Sequence, residues 1–243
     1  MADRARPKTL AQDLAFFVLA AIVAVVFVVS VNVIFLRTPE EVTMGVVQKI
    51  LYFHAPSAYA MYVGAAACFA GSLGFLVKPN DFWDALARAG AEAAVIFGMI
   101  VCVTGPLWAV KSWGFYWTWD PRLTTSLLSI LMYVAYLILR GFTGDGPGER
   151  KFAAALGVLA AANLPIIHFA VRKWGGQHPE VNTGKGGGMH PSMVQALLLG
   201  FLAFTLLVAL LLWMRVRLEM AKSRLARAEE DAIDLGLDTR TET

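Results

Sequence analysis

Leu14-Ala-Phe-Phe-Val-Leu-Ala-Ala-Ile-Val-Ala-Val-Val-Phe-Val-Val-Ser-Val-Asn-Val-Ile-Phe35 runs for 22 residues without a charge. A helix needs about 20 apolar residues, and about 17 at the least, to cross a hydrocarbon core. Inside a bilayer no water can satisfy the peptide groups, so such a run must pair them within itself as an α-helix. Five further runs have the same character, at 57–77, 89–108, 123–139, 152–171 and 194–214, the fourth being the shortest. The fold implied is all-α: a polytopic integral membrane protein of six transmembrane helices, one membrane domain over residues 1–243 with a tail at 215–243. The first run exceeds the ~7–15 apolar residues of a secretory signal core, and no small-residue cleavage site follows Phe35, so an uncleaved anchor is expected.

Composition agrees. Apolar residues make up 58% of the chain and charged residues 16%, against about half and a quarter in soluble domains. The net charge of +3 is too small to call for nucleic acid. The distribution of charge says more. Of the lysines and arginines, 14 fall on the side of the two termini and 7 on the other. By the positive-inside rule both termini are expected in the cytoplasm. Cys68 and Cys102 lie within spans two and three and form no CxxC or CxxCH pattern. They read as small packing residues, and no thioether attachment of a cofactor is expected.

Three segments then face outward: 36–56, 109–122 and 172–193. The first contains Val42-Thr-Met-Gly-Val-Val-Gln-Lys-Ile-Leu-Tyr-Phe53, with apolar residues at 42, 46, 47, 50 and 51. This spacing predicts a short amphipathic interfacial helix. It would end at His54, with Pro56 opening the next span. The second reads Trp108-Ala-Val-Lys-Ser-Trp113-Gly-Phe-Tyr-Trp117-Thr-Trp119-Asp120-Pro-Arg122. An aromatic belt accounts for one or two of its rings. Four tryptophans, a Phe and a Tyr within 12 residues read better as a platform for a flat apolar ligand, and a porphyrin has that shape. The third holds His178 and His190, behind Arg172, Lys173 and Trp174. Its Gly184-Lys-Gly-Gly-Gly188 reads as a hinge, since no strand precedes it and no Ser or Thr follows the lysine as a phosphate loop requires. All four histidines, His54, His168, His178 and His190, sit toward this outward side. Two imidazoles from different segments can close a six-coordinate haem iron. His54 with either His178 or His190 meets that requirement.

The run Trp113-Gly-Phe-Tyr-Trp-Thr-Trp-Asp-Pro-Arg122 resembles the tryptophan-rich WWD motif of haem-handling membrane proteins. Gln48-Lys-Ile-Leu-Tyr-Phe-His54-Ala-Pro56 and Asn163-Leu-Pro-Ile-Ile-His168-Phe-Ala-Val171 are similar to segments of one family among them, haem exporter protein C (CcmC) of cytochrome c maturation. The similarity spans about residues 15–215. It implies a haem-handling component rather than an enzyme, holding haem b non-covalently between two outer histidines above the WWD loop. The family passes haem to a chaperone, CcmE, in company with the ABC transporter subunits CcmA and CcmB and the small subunit CcmD. The implied iron ligands are His54 and His178. The latter follows Phe169-Ala-Val-Arg-Lys-Trp174 at the family's spacing, although Gly175-Gly-Gln-His178 replaces a more polar stretch. Trp113, Trp117 and Trp119 would pack on or beside the porphyrin. Asp120 would accept a ring N–H or orient Arg122, and Arg122, Lys111 or Arg172 would pair with the propionates. His168 and His190 are expected to be structural.

Two other classes compete. A b-type electron-transfer subunit would bury its histidine pairs in mid-span, and here none lies there. A haem-free small-molecule permease could use Asn163, Pro165 and Glu92, but Glu92 sits near the terminal side with Arg88 at i−4 to pair with.

Overall fold

The computed structural model describes residues 10–142, 146–178 and 189–236. Its helices are α1 Leu10–Asn32, α2 Leu51–Val77, α3 Asp81–Trp113, α4 Pro121–Phe142, α5 Pro147–Ala161, α6 Asn163–Trp174 and α7 Pro191–Asp234. Among the described residues there is no strand, and six helical stretches are long and apolar enough to cross a membrane. The protein is thus a multi-pass, all-α membrane protein. The fourth stretch, shortest in the sequence reading, is a full 22 residues.

Helix ends follow local chemistry. The Asn80 side chain accepts the Trp83 amide and Asp81 and Asp84 occupy the first turn of α3, where negative charge favours the exposed amides. Pro191 takes the first turn of α7, and the His190 ring caps it by accepting from the Ser192 amide. His190 is therefore a capping residue.

Two expectations need correction. Val42–Phe53 is not an interfacial helix. Glu41 bridges Gly45, its carboxylate takes the amides of Thr43 and Met44, and a 3-10 turn at Val46–Ile50 runs straight into α2. Pro56 accordingly lies inside α2 rather than at its start. It removes one amide, the partner of the Tyr52 carbonyl four residues back. Gly200 of α7 lies against that carbonyl, so close that a Cβ there would stand 2.6 Å from the oxygen. The second correction concerns the fifth span, which is two helices. Pro165 has no N–H for the Ala161 carbonyl, and the helix breaks at Ala162. The Asn163 side chain donates to the Thr125 carbonyl at 2.7 Å. α5 thus packs on α2 and α4, while α6 leans on α4.

α2 and α3 pack along most of their length. Gly64, Gly71 and Gly90 line this contact, and a Cβ on any of them would strike opposing backbone. Small residues of this kind let spanning helices approach closely where lipid supplies no hydrophobic drive. Cys68 is buried in this seam, as its bland reading required. α1 packs on α7 and leaves most of its apolar surface outward.

Ion pairs gather at the end of the bundle that carries both described termini. Arg217 meets Asp13 at 2.7 Å, Arg140 meets Asp84 at 2.8 Å, and Arg150 meets Asp81 at 3.2 Å. Arg227 also reaches Asp81. Glu92 pairs with Arg88 and Arg215, and Glu219 with both of those arginines and Lys222. The α7 helix continues past the apolar stretch to Asp234 to make these contacts.

Candidate functional site

The opposite end of the bundle is built differently. His54 sits in the first turn of α2, half-buried, with its ring on Gly105 of α3; a Cβ at that glycine would stand 3.2 Å from Cε1. Its Nδ1 lies 2.8 Å from Thr104 Oγ1, and that hydroxyl donates its single proton to the Ile100 carbonyl at 2.7 Å. The hydroxyl is therefore the acceptor toward the ring, and His54 Nδ1–H is the donor.

The last letter of the tryptophan-rich run organises the rest. Asp120 is buried, at 8% exposure, although Trp119 before it is 74% exposed. Its Oδ1 accepts the Leu123 amide at 2.8 Å and so caps α4. Its Oδ2 accepts the amides of Gln177 and His178, at 3.1 and 3.3 Å. Among the described residues these backbone amides are the carboxylate's hydrogen-bond partners, in place of the expected roles on a ring N–H or on Arg122. The chain reaches the carboxylate through Gly175 and Gly176, with φ of +73° and +146°. A Cβ at Gly176 would sit 3.1 Å from Oδ2, so both conformation and space call for glycine there.

Arg122, two residues on, spans the gap to the third segment. Its Nη1 lies 3.1 Å from His178 Nδ1 and its Nη2 donates to the His168 carbonyl at 3.1 Å. Two imidazoles from separate segments thus stand at the same end of the bundle, His54 against Thr104 of α3 and His178 against Arg122 at the start of α4. Among the described residues no three His, Cys, Asp or Glu side chains cluster as a bare metal ion would require.

The aromatic loop is not a single flat surface. Trp108 and Trp113 meet edge to face at 6.0 Å and 86°, Trp113 tilts on Phe115, and Trp117 and Trp119 meet at 5.7 Å and 80°. Edge-to-face packing suits the ring quadrupoles. The platform is thus two aromatic clusters, one folded around the turn at Gly114 (φ +82°) that ends α3 and the other formed by Trp117 and Trp119. The indole N–H groups of Trp108 and Trp117 are buried with no hydrogen-bond acceptor among the described residues. A buried donor without a partner costs about 1–3 kcal/mol, which an acceptor on a bound molecule would recover.

Of the other expected residues, Lys111 and Arg172 are exposed. His168 faces an open apolar groove between α2, α5 and α6 and offers its carbonyl, not its ring, to Arg122. The glycine run at 184–188 lies outside the described residues. Thr104, Gly105 and Gly176 were not anticipated from sequence. The signal available was a hydroxyl beside Gly105-Pro106 within an apolar span, and a glycine pair just before His178.

A multi-helix membrane protein with a histidine pair and an aromatic loop at one end is the class that fold and site define. The family model described as "Heme exporter protein C" (CcmC) matches residues 1–231. The chain is 35% identical over 189 residues to Heme exporter protein C of Bradyrhizobium diazoefficiens, covering 76% of this chain and 72% of that protein. It is 32% identical over 214 residues to Heme exporter protein C of Escherichia coli, covering 87% and 86%. With the protein of that name from Paracoccus denitrificans the figure is 28% over 192 residues, covering 78% and 80%. The chain belongs to the Heme exporter protein C family.

Proposed function

We propose that this chain binds haem b non-covalently at the outer face of a bacterial inner membrane and presents it to a haem chaperone during cytochrome c maturation. The observation that carries this reading is the placement of His54 and His178 at the end of the bundle that holds the tryptophan-rich loop. Family membership supports it, and the placement of basic residues at the terminal end supports cytoplasmic termini. His54 and His178 supply the axial imidazoles. Trp113, Trp117 and Trp119 pack against the porphyrin edge and face, and the orphaned N–H of Trp117 donates to its oxygens. Arg122, Lys111 and Arg172 are the cations for propionates. Asp120 takes no direct part; it fixes the backbone that carries His178. The chain handles its cargo rather than converting it, within an assembly that includes CcmA, CcmB, CcmD and the receiving chaperone CcmE.

A pyridine haemochrome spectrum of the protein purified from haem-replete membranes tests the reading. We expect haem b in the wild type and its loss in His54→Ala with His178→Ala. A colourless wild-type protein would favour a permease, and haem retained by the double variant would move the ligands into the spans.

A further inference from the structure

We propose that Arg122 is a positioning residue that withholds His178 from iron until haem is seated, while Thr104 holds His54 in the competent form throughout. The inference rests on the reading of these two histidines as axial ligands. A neutral imidazole carries one proton, and iron needs the nitrogen that lacks it; the partner of the other nitrogen decides which that is. At His54 the partner is a hydroxyl whose own proton is committed to the Ile100 carbonyl. The ring proton therefore sits on Nδ1, and Nε2 is bare. At His178 the partner is a guanidinium, 3.1 Å from Nδ1. Guanidinium has donors only, so Nδ1 is the acceptor and the proton sits on Nε2. One nitrogen of His178 is covered by Arg122 and the other is protonated. Neither can ligate.

The two histidines are thus set in opposite tautomers by their neighbours. The restraint on His178 is built in, because Asp120 Oδ2 holds its backbone and Arg122 is braced on the His168 carbonyl. A haem propionate offers Arg122 a better acceptor, since a carboxylate carries the opposite charge and can take the guanidinium fork through two parallel bonds where an imidazole nitrogen takes one. When Arg122 turns to the carboxylate, the His178 proton moves from Nε2 to Nδ1 through water, with no net change of charge, and Nε2 becomes a ligand. Withdrawal of the propionate reverses the exchange. His54 therefore coordinates first, and His178 leaves first.

Two measurements on the full-length protein in nanodiscs test this. Histidine 15N chemical shifts of the haem-free wild type, assigned with His→Gln variants, should show the proton on Nδ1 at His54 and on Nε2 at His178. In stopped-flow mixing with ferric haem b, a five-coordinate high-spin species should precede the six-coordinate low-spin one. Arg122→Met should speed that conversion at least about tenfold, the factor expected from losing a hydrogen bond to a charged group, and Arg122→Lys should restore most of the delay. A proton on Nδ1 of haem-free His178, or a conversion no faster in Arg122→Met, overturns the proposal. A six-coordinate spectrum that persists in His178→Ala instead removes the ligand assignment beneath it.

Discussion

Asp120 shows how much one side chain can fix. Three backbone amides from two segments end on its carboxylate, and two of those amides lie 57 and 58 residues along the chain. Asp120→Ala should lose the helix cap, about 0.5–2 kcal/mol on its own, and also release the His178 loop. The expected result is a lower thermal midpoint and a haem spectrum shifted toward five-coordinate, measured on the same preparation. Asp120→Asn, which keeps one acceptor oxygen, should fall between. His54 and the tryptophan-rich run could be read in the sequence because their residue types are rare in those settings. Thr104 could not, since a threonine in an apolar helix ordinarily back-bonds to the i−4 carbonyl and does so here as well. Its second role depends on α2 lying beside α3. Asp120 was legible as important but not in its task, because nothing local in sequence ties it to Gln177.

At the scale of elements, each of the six apolar runs read from the sequence falls inside one of the six helical stretches long and apolar enough to cross a membrane, because a minimum apolar length is a strict condition. It did not separate α5 from α6, although Pro165 was the local cause. Proline in a spanning segment either kinks or is accommodated, and the choice rests on what surrounds it. Here Asn163 meets the Thr125 carbonyl and α6 packs on α4. The His168 carbonyl on α6 meets Arg122 of α4 across that contact. Pro165→Ala should favour one continuous helix, weaken the α4 contact and reduce the six-coordinate fraction of bound haem. An unchanged absorption spectrum would show that the bend does not position Arg122. The interfacial helix was misread for a related reason. Apolar spacing over so short a stretch does not distinguish a separate helix from the opening turns of the next one.

Across the whole molecule the two ends of the bundle divide the work. One end converges on histidines and aromatic rings, and the other on ion pairs. Arg140 is only 2% exposed in its side chain and bonds Asp84 at 2.8 Å. Removing one partner of a buried pair is destabilising, by up to about 3–5 kcal/mol, whereas removing both together is milder, and Asp84 also lies 3.8 Å from Arg150. Asp84→Asn should therefore lower the yield and thermal stability of the folded protein sharply, and Asp84→Asn with Arg140→Met should recover a substantial part, as measured by thermal denaturation in detergent. A double variant whose loss equals the sum of the losses in Asp84→Asn and Arg140→Met would mean that the pair carries no coupling. The segregation of basic residues made this end legible as a side of the membrane. The i,i+4 pair of Arg88 and Glu92 was legible as well, but not the pairings that join residues as far apart as Asp13 and Arg217.

α4 connects these two worlds. It begins on Asp120, which grips the His178 segment, and Arg140 near its other end grips Asp84. The intervening helix is about 30 Å of rod at 1.5 Å per residue, and a helix resists axial compression because every turn is hydrogen-bonded to the next. One hydrogen-bonded rod therefore ties the histidine loop to the ion-paired face at the far end of the bundle.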